Sequence, residues 1–272
     1  MAQATGTELI AEAFDRARAN GRRAALMPYM MGGYPDLETS LAIGLAYADA
    51  GADLIELGVP FSDPLADGPV IHAAATVALG AGATVPAVLG LAGAIARRVP
   101  VIVMCYANPI LMRGLQRFAD LLVAAGVSGL IVPDLPLEEA AGAREACAAR
   151  GLAFVPLVAP TTPDERLARI GATASGFLYA VALTGTTGER ASIDGAMAGI
   201  VRRAAARTDV PVAVGFGIST PEQAAAAAAA GAAGVIVGTR LVRAAGEADD
   251  PAAAVGELVR GLSTALSGPA LG

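Results

Sequence analysis

Three carboxylates, Glu56, Asp63 and Asp67, fall within the single stretch IELGVPFSDPLADGP, residues 55–69. An apolar run with one acid leads into a Pro- and Gly-rich loop that holds two more. Only 16% of the chain is charged, against a usual quarter, so this concentration of acids needs a reason. Carboxylates near one another can divide acid and base roles when their surroundings differ. The rest of the chain offers few competitors. It contains no lysine, its 19 basic residues are all arginine, and His72 is its one histidine. A Schiff base or a lysine-anchored pyridoxal cofactor therefore has no residue to use. A zinc site built on several histidines or a cysteine cluster is excluded on the same count. A Ser-His-Asp triad would have to use His72, and no strand-turn-helix nucleophile elbow is present. Carboxylates are the leading candidates for any chemistry.

The elements that must hold them are readable. Apolar strand-like runs lie at 25–31, 53–58, 100–105, 128–132, 152–158, 176–181, 210–214 and 234–238. Helical patterns fall between them at 38–50, 84–98, 114–125, 137–149, 163–170, 193–207 and 220–230, with a last one at 251–266 and an extra N-terminal helix at 7–20. Thr162-Pro163 and Thr220-Pro221 read as caps followed by proline at the first helical position. The strands are near-continuous apolar runs, as when both faces are covered. Eight strands alternating with eight helices predict a (β/α)₈ TIM barrel with an extra N-terminal helix, one domain over 1–272.

Composition agrees with a compact chain: 272 residues, 55% hydrophobic, net charge −6. There is no basic footprint for nucleic acid or an anionic membrane. Two long uncharged stretches, 172–188 and 224–239, are broken by turn residues and read as buried strand and helix, not membrane spans. Two cysteines, Cys105 and Cys147, in apolar or helical patterns point to a reduced, cytoplasmic setting.

In such a barrel the site lies in the loops after the strands. Glu56 sits near the end of the second strand and Asp67 in the loop behind it, so both can face the mouth. Three Gly-rich loops follow neighbouring strands: Gly185-Thr186-Thr187-Gly188, Gly215-Phe216-Gly217 and Gly238-Thr239. Glycine lets backbone N–H groups approach an anion, and barrel loops after strands 7 and 8 with a short helix commonly hold phosphate. A short helix beginning at Thr239 would serve, with Arg240 facing outward. The expected ligand is a small phosphorylated molecule.

With these residues placed, the chain resembles the tryptophan synthase alpha chain family. Residues 55–69 match its signature nearly residue for residue. Tyr106-Ala107-Asn108-Pro109, Pro133-Asp134-Leu135-Pro136, Thr187-Gly188 and Gly215-Phe216-Gly217-Ile218 follow in order, and the similarity covers essentially the whole chain. The resemblance implies retro-aldol cleavage of indole-3-glycerol phosphate to indole and glyceraldehyde 3-phosphate, with no metal and no cofactor. It implies that Glu56 is the acid/base, that Asp67 accepts from the indole N–H, and that Tyr179 stands near the acid/base. Tyr29 and Met104 would line the indole pocket, with Thr187 also on substrate. Gly188, Gly217, Gly238 and Thr239 would bind phosphate. The implied partner is a pyridoxal-phosphate beta chain in an α2β2 complex. Asp63, before Pro64, reads mainly as loop structure.

The chain also departs from the pattern. His72 stands for the usual glutamine and Thr239 for serine, while residues 183–186 and 30–34 are unusual renderings of their loops. Alternatives therefore stay open: a stand-alone lyase of specialised metabolism, an idle barrel that activates a partner, or another phosphosugar barrel such as an isomerase.

Overall fold

The computed structural model describes residues 4–181, 190–215 and 217–268. Its strands are β1 (Ala25–Met31), β2 (Ile55–Gly58), β3 (Val101–Met104), β4 (Gly129–Ile131), β5 (Ala153–Val155), β6 (Leu157–Val158), β7 (Leu178–Val181), β8 (Val212–Gly215) and β9 (Gly234–Val237). Its helices are α1 (Gly6–Ala19), α2 (Leu37–Asp49), α3 (Pro69–Gly80), α4 (Val85–Ala96), α5 (Ala107–Leu111), α6 (Leu115–Ala124), α7 (Ala141–Ala148), α8 (Asp164–Gly171), α9 (Arg190–Ala205), α10 (Pro221–Ala229), α11 (Thr239–Glu247) and α12 (Pro251–Leu266).

All pairings are parallel, in the order β5-β4-β3-β2-β1-β9-β8-β7-β6. The two ends of that list are neighbours in the chain, so the sheet closes on itself. Pro156 explains why the predicted fifth strand appears as two. It has no N–H for the ladder, but its carbonyl still accepts from Tyr179 N at 3.0 Å. The eight expected strands are present and the TIM barrel stands.

Alternation along the strands sorts their side chains. Ala25, Met27, Leu54, Ile102, Ile131, Ala153, Val155, Phe177, Ala213 and Ile236 form one buried cluster, which fills the barrel interior. Helix α1 joins that same cluster through Ile10, Ala13, Phe14 and Ala17, with Phe14 tilted against Phe177 at 6.1 Å. The extra N-terminal helix thus plugs the N-terminal end of the barrel. Thr5 starts it with a capping box to Glu8. At that same end Arg22 pairs with Asp53 at 2.5 Å, and Asp53 also accepts from Leu26 N at 2.8 Å, tying β1 to the entry of β2. The opposite mouth is left to the loops.

Three helices lie outside the predicted set. Helix α3 follows the acidic loop, α5 is a short turn after β3, and α11 is the helix anticipated only as a short one at Thr239. Thr220 caps α10 with a capping box to Gln223, as expected. Thr162 does not cap α8. Pro163 occupies the N-cap with no side-chain bond, and Thr162 Oγ1 accepts from Ala159 N at 2.9 Å instead. Among the described residues no single helix is long and apolar enough to cross a membrane.

Candidate active site

Glu56 shares the inward parity of Leu54, so it points into the barrel. Its partners in register are Tyr29 on β1 and Ile102 on β3. It is 2% exposed and is the one charged residue among the buried ones described. Its Oε2 has no hydrogen-bond partner among the described residues. Burial is the main cause, and the nearby charge of Asp67 the second, that lifts its carboxyl from 4.5 to about 8. At neutral pH this group carries a proton it can give.

Two tyrosines flank it. Tyr29 on β1 and Tyr179 on β7 are both buried. Burial holds both phenols well above their ordinary range, and both feel the charge of Glu56. Each ring leans across the neighbouring strand onto a terminal glycine. A Cβ at Gly58 would lie 2.2 Å from Tyr29 Oη, and one at Gly215 2.3 Å from Tyr179 Oη. In register Gly58 lies two residues past the partner of Tyr29, and Gly215 two past that of Tyr179. The same seat is built twice, and only glycine fits it.

Asp67 is held from the other side by Tyr106, the last residue before α5. Ala66 N donates to Tyr106 Oη at 3.1 Å, and that hydroxyl hydrogen-bonds the Asp67 carboxylate. The Phe61 ring stacks on Tyr106 with centroids 5.4 Å apart. One phenol therefore ties down both ends of the acidic loop. Asp67 is half-buried. Desolvation pushes its carboxyl up to about 6, opposed by the Tyr106 bond and by the charge of His72. It is thus ionised at neutral pH while Glu56 is not, which separates the two carboxylates into a base form and an acid form. Asp63 is exposed and accepts from the Ser62 hydroxyl, in keeping with a loop role. His72 is exposed on the first turn of α3.

Met104 ends β3, half-buried, opposite Gly58 in register. A hollow of about 450 Å³ opens at the neighbouring strand ends, with Pro133, Leu157 and Val181 in its wall. Neither Glu56 nor Asp67 lines it.

Thr187, expected on substrate, and Gly188, expected on phosphate, lie outside the described residues. Gly217 follows β8 with φ +77°, a left-handed conformation that favours glycine. Gly238 is the N-cap of α11 and Thr239 its first residue. The β8–β9 register pairs Ala213 with Gly234 and Val214 with Val235, so Gly217 and Gly238 each follow the end of one of two adjacent strands. The first helical bond of α11 runs from Val242 N to Gly238 O at 3.0 Å, so the amides of Thr239 and Arg240 have no intrahelical acceptor. Two of the three glycine loops thus leave adjacent strands, and one of them opens a helix next to Tyr29, whose Cβ lies 3.5 Å from a Cβ built at Gly238. Arg240 is exposed, as expected. Among the described residues no group of three or more His, Cys, Asp or Glu side chains could hold a metal ion.

Sequence reading missed Tyr106 as the anchor of Asp67 and the two glycines as seats for tyrosines. Tyr106 sits in a quoted motif, but its partners lie some forty residues away, and local pattern carries no sign of them.

Comparison with known proteins agrees with this geometry. The family model for the tryptophan synthase alpha chain matches residues 14–264. The chain is 50% identical over 238 residues to the tryptophan synthase alpha chain of Prochlorococcus marinus, covering 86% of each. It is 44% identical over 262 residues to that of Thermosynechococcus vestitus, covering 96% of this chain and 98% of the other. Among solved structures, a chain of Mycobacterium tuberculosis tryptophan synthase superposes with a TM-score of 0.88 at 40% identity, covering 97% of this chain and 99% of that one. The alpha subunit from Legionella pneumophila gives 0.85 at 35% identity, covering 97% and 99%. With a match that spans nearly the whole barrel, the chain belongs to the tryptophan synthase alpha chain family.

Proposed function

We propose that this chain is the alpha subunit of a tryptophan synthase, a lyase that cleaves indole-3-glycerol phosphate to indole and glyceraldehyde 3-phosphate. The buried, protonated Glu56 opposite the ionised Asp67 carries the reading. Protonated Glu56 delivers its proton to indole C3. The ring becomes a cationic indolenine, and Asp67 stabilises it by accepting from the indole N–H. Glu56, now a carboxylate, takes the proton of the side-chain hydroxyl. The C–C bond breaks, its electron pair returns to the ring, and the oxygen becomes the aldehyde carbonyl. Glu56 ends protonated, ready for the next turnover. No cofactor is needed, because the protonated indole is itself the electron sink. Each acid/base step of this kind contributes on the order of 10²–10⁴ in rate.

Tyr179 borders Glu56, and Tyr29 and Met104 line the place for the ring. Gly188, Gly217, Gly238 and Thr239 hold the phosphate through backbone amides and a hydroxyl, and Thr187 meets the substrate. Thr239 keeps the hydroxyl of the serine it replaces. The proposed setting is the cytoplasm, with the chain as one domain.

The partner is a tryptophan synthase beta chain, in an α2β2 assembly. Exposed apolar side chains mark where it would sit: Leu65 on the acidic loop and Leu111 and Met112 at the end of α5. Tyr106 joins those two segments, so a partner on them bears directly on Asp67. The test is to supply indole-3-glycerol phosphate to the chain alone and with a beta chain, and to follow indole. Cleavage that rises with the partner supports the reading. Cleavage in neither case overturns it.

A further inference from the structure

The site holds two buried polar atoms with no hydrogen-bond partner among the described residues: Glu56 Oε2 and Tyr29 Oη. They come from residues paired in register on adjacent strands, and inward parity sends both side chains to the barrel mouth. Leaving a buried hydroxyl unpaired is costly, and most such groups in folded chains have a partner. Two of them side by side at a strand end mark the place of a third group absent from the protein itself. Tyr29 is also held there by design. Its Oη occupies the space a side chain at Gly58 would fill, so the phenol is seated against the end of β2. It lies within electrostatic reach of Asp67, Glu56, Tyr106 and Tyr179, which puts it at the centre of the four polar side chains of the mouth.

Resting on the lyase reading above, we infer that the Tyr29 hydroxyl donates a hydrogen bond to the side-chain oxygen of the substrate from which Glu56 removes the proton. The phenol is a donor at every working pH, since burial and its acidic neighbours hold its proton on. A carboxylate on one side and a donor on the other would grip a single hydroxyl: Glu56 takes its proton, and Tyr29 stabilises the oxygen as charge develops on it. Tyr29 itself transfers no proton. Its hydrogen bond strengthens as the C–C bond breaks and remains on the aldehyde oxygen of the product. The bond also fixes which face of that carbon meets the base, which is a source of specificity for a hydroxylated side chain.

The test is Tyr29→Phe in the complex with a beta chain. Loss of one donor to a developing oxyanion predicts a fall in kcat on the order of 10²-fold. The fold should not suffer, because the lost hydroxyl has no partner among the described residues, and Tm should stay level or rise. Affinity for 3-(indol-3-yl)propyl phosphate, which lacks the side-chain hydroxyls, should stay within about threefold of wild type. A packing role would instead weaken that analogue and lower Tm. Wild-type turnover with Tyr29→Phe equally active, or with the analogue weakened as much as kcat falls, overturns this inference alone. Wild type releasing no indole overturns the lyase reading and this inference with it.

Discussion

Replacing Glu56 by Gln should make the fold more stable at the pH where the enzyme works. An ordinary glutamate titrates near 4.5, and Glu56 in the fold near 8. The folded value lies above the unfolded one, so the folded chain keeps a proton through a window in which the unfolded chain has lost it. Stability therefore falls as pH rises from about 4.5 to about 8 and levels off above. At about 1.4 kcal/mol per pH unit, that gap amounts to about 4 kcal/mol once pH reaches 8. Glutamine has the same shape and stays neutral, so its burial cost is the same at every pH. The assay is urea unfolding of both proteins at pH 5, 6, 7 and 8. Their curves should diverge with pH, Gln above Glu, and in thermal melts run alongside the gap at pH 8 should appear as roughly 10 °C in Tm. Parallel curves would mean that Glu56 carries no such burden, and the argument for a poised acid would fail.

The same values set the pH dependence of activity. Asp67 must be ionised and Glu56 protonated in the free enzyme, so kcat/KM should be bell-shaped, with limbs near 6 and 8 that belong to the coupled pair; a flat profile from pH 5 to 9 refutes the assignment. Tyr106→Phe removes the bond that lowers the Asp67 carboxyl, so the acid limb should move upward and stability should drop by about 1 kcal/mol, read by a pH profile and urea titration. Gly58→Ala drives a methyl into Tyr29 and should cost about 1–3 kcal/mol, part of which Tyr29→Phe returns; additive losses in the double variant would show that the seat is not tight. Met112→Asp with Leu65→Asp should weaken beta-chain binding at least about 10-fold by titration calorimetry and leave Tm within about 2 °C, because both side chains are exposed.

Much of the barrel is legible because its strands are unbroken apolar runs and its helices are separated by turn residues. The failures are local. Pro156 splits a strand through a missing N–H, an effect on the ladder that apolar pattern does not register. Helix α3, PVIHAAATVALG, has no polar face and a glycine for its cap, so neither periodicity nor a capping signal announces it. Thr162 looks like a cap beside Pro163 but turns to Ala159 N, since the helix starts one residue later, with Pro163 at its N-cap and Asp164 first. In the site, Glu56 and Asp67 stand out because acids are rare in this chain. Tyr106, Gly58 and Gly215 do not, because each acts on a residue of another strand or loop. Their roles exist only once the strands are in register.

The central claim is that a single buried carboxyl both gives and takes the proton. The most direct measurement is single-turnover cleavage of indole-3-glycerol phosphate by wild type and Glu56→Gln, with substrate affinity measured alongside. Wild type should release indole and glyceraldehyde 3-phosphate in equal amounts. The Gln variant should bind with nearly the same affinity and lose turnover by a factor on the order of 10³ or more. A Gln variant that cleaves within about tenfold of wild type would contradict the account.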